Sequence, residues 1–103
     1  KVINGGEGDT LMYMKKLTPV RLLKNDFSDR IEAAENRCVS GEELAALLGK
    51  GRARQGMFEG DLEEGELEIG QVSALLNDMP SAATIISTVW NEFIVEKNRI
   101  AAL

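Results

Sequence analysis

The sequence predicts a mainly α chain with short extended segments near residues 10–23. Apolar residues recur at helical spacing in four stretches. Three of those stretches follow a good N-cap residue, Asn25, Ser40 or Ser81. Only residues 10–23 combine apolar side chains with an absence of helix signals.

Lys1 to Gly6 reads like the last turn of a helix and its glycine stop, as expected for a piece of something longer. Glu7 to Thr10 is a polar turn. Thr10 to Lys16 has no helix start or stop, and Leu11, Tyr13 and Leu17 suit one side of an extended segment. Pro19 disfavours helix at Thr18, and Val20–Leu23 is a second extended candidate. Asn25 to Ser28 supplies several caps, and Phe27, Ile31 and Ala34 then fall at i, i+4 and i+7. That helix ends near Asn36 to Cys38. Ser40 with Glu43 forms a capping box for a helix over 41–48, faced by Leu44, Leu47 and Leu48 and stopped by Gly49 and Gly51.

Met57 and Phe58 are the bulky apolar pair of the next polar stretch and are expected to anchor it to a core. Glu59 to Gly65 is an acidic loop. A helix is expected from Gly65 or Glu66, with Leu67, Ile69, Val72, Leu75 and Leu76 as its apolar stripe. Glu63, Glu64 and Glu66 would lie at its start, where the helix dipole favours negative charge. Asn77 to Pro80 breaks it. Ser81 caps the last helix, in which Ile85, Val89, Trp90, Phe93 and Ile94 repeat at helical spacing. Its apolar face needs a partner, either the helix near Gly65 or a larger body.

The chain has 103 residues, enough for one domain or part of one, with a modest core. Aromatics are 5%, so that core is expected to be built mainly from Leu, Ile, Val, Ala and Met. A net charge of −5 argues against nucleic-acid binding, which wants a basic face. No apolar run approaches the ~20 residues of a membrane span. The single cysteine, Cys38, cannot close an internal disulfide, and a cytoplasmic compartment is expected.

There is no histidine, which removes the commonest general base and the histidine metal sites. Cys38 therefore reads as an ordinary small residue at a helix end. The acids from Asp61 do not fit a calcium loop, because position 5 is Gly65 and position 12 is Val72. Gly51 to Gly56 fits neither a dinucleotide fingerprint nor a P-loop, and Arg52 and Arg54 read best as solvated or helix-end groups. Gly70 would sit inside a helical pattern at a cost of ~1 kcal/mol, which suggests close packing or a ligand contact. Gln71 beside it can both donate and accept hydrogen bonds.

The segments 17–25 (LTPVRLLKN), 51–76 and 81–93 together resemble the C-terminal part of one flavoprotein family. These are the FMN-dependent nitronate monooxygenases, formerly 2-nitropropane dioxygenases, with the related flavin-dependent enoyl-acyl-carrier-protein reductases. The run Gly60, Asp61, Gly65, Gly70, Gln71 carries most of the resemblance. It implies a helical C-terminal segment of a flavin-dependent TIM-barrel protein, with the barrel itself absent, since a barrel needs about 250 residues. Residues 1–24 would be the lead-in from the barrel and 25–103 the helical domain, covering the flavin and substrate site. Gly70, Gln71, Arg21 and Asn25 match family positions and are the implied cofactor-binding or substrate-lining residues.

No catalytic residue and no metal ligand is carried over. FMN, a small-molecule substrate and NAD(P)H would belong to the whole protein. The 103 residues alone would hold no cofactor and show no activity. The alternative is a self-standing helical interaction module, forming a homodimer through its exposed helix faces.

Overall fold

The computed structural model describes residues 1–103 in full. Strand β1 (Thr10–Tyr13) pairs antiparallel with β2 (Val20–Leu23), Thr10 opposite Leu23 and Tyr13 opposite Val20. Four α-helices follow: α1 (Asp26–Asn36), α2 (Gly41–Leu48), α3 (Arg52–Met57) and α4 (Ala82–Ala101). Short 3-10 turns lie at Val2–Asn4, Glu7–Asp9 and Gln71–Leu75. The fold is mainly helical, with one two-stranded sheet and no barrel. No helix is long and apolar enough to cross a membrane.

The three expected N-cap bonds all form, but Ser40 and Glu43 make only the first half of the expected capping box. The Asn25 side chain accepts from Ser28 N at 2.9 Å, while Ser28 Oγ accepts from Asn25 N at 2.9 Å. Ser40 Oγ accepts from Glu43 N and Ser81 Oγ from Thr84 N, each at 3.1 Å. Each bond satisfies an N–H that has no partner in the first helical turn. Gly49, at φ 68° and ψ −152°, ends α2, and Gly51, at φ 74° and ψ 11°, is the left-handed residue that precedes α3. Cys38 follows α1 at φ 58°, an exposed residue in a left-handed turn. The opening segment differs from expectation. It is a 3-10 turn, and Gly5 after it is extended rather than left-handed.

Phe27, Ile31 and Ala34 place one face of α1 against the strands, as their spacing predicts. With Tyr13, Met14, Leu22 and Leu44 they form the core, and Val20, Val39, Leu47 and Leu48 pack at its border. Leu44 is the one buried residue of α2. Burying each such aliphatic side chain contributes roughly 1.5–3 kcal/mol.

The expected helix over residues 65–76 does not form. Leu67 O instead accepts from Leu23 N at 3.0 Å, and Ile69 N donates to Arg21 O at 3.0 Å. An antiparallel bridge joins Leu22 to Glu68. Residues 67–69 thus cover the edge of β2 that β1 leaves open. The reason is physical: a buried strand must satisfy its backbone groups, and only another backbone nearby does so along its length. Val72, Leu75 and Leu76, the rest of the expected stripe, are exposed. Glu63, Glu64 and Glu66 consequently start no helix.

Met57 and Phe58 do not anchor their segment to the core, and Phe58 is 84% exposed. Arg52 holds that segment instead. The whole of α4 also lacks a buried residue, and Ile85, Ile86, Val89, Trp90 and Phe93 lie open along it.

Candidate functional site

Two of the four residues singled out by the sequence line one cleft. Arg21 and Gln71 border an open space of about 490 Å³ together with Glu7, Thr10, Val72, Ala74 and Leu75. The local fold explains the meeting. Residues 67–69 run antiparallel to β2, with Ile69 bonded to Arg21, so the 3-10 turn at Gln71 starts beside that arginine. Arg21 Nη1 donates to Thr10 Oγ1 at 3.0 Å and to Thr10 O at 3.4 Å, which fixes the guanidinium against β1. Val72, Ala74 and Leu75 give the cleft an apolar wall, and Glu7 stands exposed at its rim.

Gly70 is extended, with φ −84° and ψ 158°, and a Cβ built there meets nothing within 4 Å. The close backbone approach inferred for Gly70 occurs between Gly56 and Gly65, where an added Cβ on Gly65 would meet Gly56 N at 2.6 Å. Asn25 is buried beneath the chain and lies outside the Arg21–Gln71 cleft. Its amide donates to Leu62 O at 3.1 Å and Gly65 O at 2.8 Å, so it ties the acidic loop to the start of α1.

The acidic loop is held by a network that residue spacing did not reveal. Arg52 stacks on Phe27, its guanidinium carbon 4.4 Å from the ring centroid. Its Nε donates to Leu48 O at 2.8 Å and its Nη1 to Glu64 O at 2.7 Å. The helix-end role expected of Arg52 is therefore the one it performs. Arg30 pairs with the Glu64 carboxylate through both terminal nitrogens. That bond, then the charges of Arg30 and Arg52, lowers the Glu64 pKa. Asp61 accepts from Glu64 N at 2.9 Å, Gln55 Nε2 at 2.6 Å and Glu63 N at 3.1 Å, and these bonds lower its pKa too. Gly60, Asp61 and Gly65 each have a folding role here: a left-handed turn at φ 78°, a carboxylate gathering amides, and a close crossing.

Glu66 behaves in the opposite way. It is 7% exposed, and burial, helped by the charge of Glu68 and opposed by Arg52, raises its pKa. Between the ordinary glutamate value near ~4.3 and the raised folded value, the folded chain binds more protons than the unfolded chain. Stability therefore falls as pH rises through that window. Asp61 and Glu64 act below it, where stability is lost as pH falls through their lowered values. Glu66→Gln should flatten the decline above about pH 4.3 and leave the acid limb in place. Urea midpoints measured across pH for both proteins test this; parallel profiles would refute it.

No family model matches the sequence, and no curated protein does. Solved structures do. FabK from Thermotoga maritima aligns at 30% identity over 95% of this chain and 32% of its own, with a TM-score of 0.73. A methionine-to-alanine mutant of FabK from the same organism aligns at 28% identity over 96% of this chain and 29% of its own, with a TM-score of 0.64. This chain is similar to one third of FabK. The match takes in nearly all of the chain, so the core and most of α4 lie inside it. The likeness to FabK accords with the flavoprotein resemblance of residues 17–25, 51–76 and 81–93.

Proposed function

We propose that this chain is the C-terminal helical part of an FMN-dependent oxidoreductase of the enoyl-acyl-carrier-protein reductase type. The carrying observation is the FabK match, 30% identity with a TM-score of 0.73 across 95% of the chain. The Gly60–Gln71 run supports it. Within the wider family, FabK-like neighbours favour enoyl thioester reduction over nitronate oxidation. FMN bound in the whole protein would relay a hydride from NAD(P)H to the thioester substrate.

The residues present here do not form a complete FMN site. The Arg21–Gln71 cleft contributes a single guanidinium, with a carboxylate at its rim. Without a glycine-rich cradle of backbone N–H groups, it does not by itself make up the FMN phosphate site. A covering role suits the chain better. The apolar wall of Val72, Ala74 and Leu75 would exclude water from the reacting groups. In this reading residues 1–24 are the lead-in and 25–103 the helical part, the two sharing one core, in a cytoplasmic enzyme. Gly70 sets the start of the turn that carries Gln71.

The test is the longer protein that contains this segment. It should purify with FMN and oxidise NAD(P)H in the presence of a short enoyl thioester, and the 103 residues alone should do neither. FMN-loaded protein that consumed nitronates but not enoyl thioesters would move it to the nitronate monooxygenase type. A colourless protein that could not be reconstituted would overturn the flavin reading.

The uncovered apolar face of α4 favours a second reading, a helical module that pairs through this face. A longer flavin enzyme is incompatible with that module being self-standing, so the same assay separates the two.

A further inference from the structure

We propose that the Arg21–Gln71 cleft is an oxyanion subsite, taking the phosphate or carboxylate end of a ligand whose adjoining part is apolar. It rests on the reading that these two residues line a ligand site and names the chemistry they would take.

Arg21 is the half-buried arginine of this chain that lacks a carboxylate partner. The ion pairs engage Arg30, Arg52, Arg54 and Arg99. Arg52, the other half-buried arginine, has the Glu64 carboxylate 3.5 Å from its Nη1, shared with Arg30. Both Arg21 bonds leave from Nη1 and end on Thr10. That leaves Nε–H and Nη2–H, the edge whose parallel N–H groups match two oxygens of one carboxylate or phosphate. The bonds to Thr10, which is 6% exposed, hold the fork before any ligand arrives. Gln71 borders the same space with a side chain that bonds nothing else in the protein, and its amide can donate a further bond. Val72, Ala74 and Leu75 would contact the apolar part of the ligand. Glu7, at the rim, opposes an anion and sets a limit on affinity.

The experiment is titration of the isotope-labelled chain with inorganic phosphate and, separately, with acetate, at constant ionic strength, followed by amide and guanidinium NMR shifts. Saturable shifts are expected at Arg21 Nε–H, the Gln71 amide and the backbone of 70–75. The tighter of the two anions identifies a phosphate ester or a carboxylate as the natural group. Arg21→Met should weaken binding about tenfold or more, the loss of a charge-assisted bidentate pair. Glu7→Gln should tighten it about two- to fivefold by removing a like charge. Arg54→Met, at a distant exposed arginine, should change nothing.

Because Arg21 also braces β1, Gln71→Ala and Glu7→Gln carry the decision if Arg21→Met unfolds. Unchanged affinity in both would overturn the proposal. So would shifts confined to Arg30, Arg52 or Arg54, or the absence of saturation by either anion. Any of these results would leave the thioester reductase assay unaffected.

Discussion

Gly65→Ala should cost the chain about 3 kcal/mol or more of folding stability, beyond the usual range for one added methyl group. A Cβ at Gly65 would lie 2.6 Å from Gly56 N and closer still to Gly56 Cα and Asp61 O. All three are backbone atoms, so no side-chain rotation makes room. Relief of the Gly56 contacts would require moving α3 away from the loop, which breaks the Glu66 N to Arg52 O bond of 3.0 Å, and relief of the Asp61 contact would require reshaping the loop's own turn. Leu67, 6% exposed, would be drawn out with it. Gly70→Ala is the control. Gly70 is extended and open, so its variant should stay within about 0.5 kcal/mol of the parent. Denaturant midpoints for the pair decide the matter: equal losses would mean that the crossing of α3 and the loop is not tight.

Asn25→Ala should cost about 2–4 kcal/mol. The first part is the helix cap, worth about 1 kcal/mol, lost with the bond from Ser28 N. The second is larger. Both donor bonds to the loop vanish, and Gly65 O, in a buried residue, loses its amide partner at a cost of about 1–3 kcal/mol. Asn25→Asp separates the two contributions. It keeps an acceptor for Ser28 N but points carboxylate oxygen at Leu62 O and Gly65 O, so it should also destabilise despite being a good cap. Asn25→Asp as stable as the parent would show that the loop bonds contribute little. A loss of turnover in a longer enzyme carrying Asn25→Ala has to be read against this stability loss, because the side chain is engaged inside the fold.

Much of the local structure was legible from short-range chemistry. Asn25, Ser40 and Ser81 start their helices because a side-chain oxygen three residues ahead satisfies a free N–H. Phe27, Ile31 and Ala34 are buried because their spacing puts them on one face. Residues 20–23 are extended as expected, while the segment expected over 10–16 is a strand only at 10–13, because the chain turns at Met14 (φ 59°) and leaves Leu17 exposed. The segment 66–76 fits two periods at once. Its apolar residues fit a helical stripe, yet Leu67 and Ile69 also alternate with Glu66 and Glu68. Local pattern does not choose between the two periods, and the open edge of β2, more than forty residues earlier in the chain, does. Met57 and Phe58 failed likewise, because apolar character draws a residue inward only where there is a cavity to receive it.

Of the candidate site, Arg21 and Gln71 were legible only as separate residues. Their meeting follows from the pairing of 67–69 with β2, which no spacing rule encodes. Arg52 stacking on Phe27 was equally hidden, since nothing in GRARQG marks an aromatic ring twenty-five residues earlier.

The sequence by itself determined the starts of α1, α2 and α4, the face α1 buries and the absence of histidine chemistry, all of which depend on residues within a turn or two of each other; it marked neither α3 nor the lack of a helix after Gly65. Tertiary structure alone decided that 67–69 would be a strand edge, that Gly56 and Gly65 would touch, and that Asn25 would be drawn into the interior while Arg21 and Gln71 would face one cleft. Those outcomes depend on which distant backbone has an unsatisfied bond or a free surface, and that is settled only when the chain closes on itself.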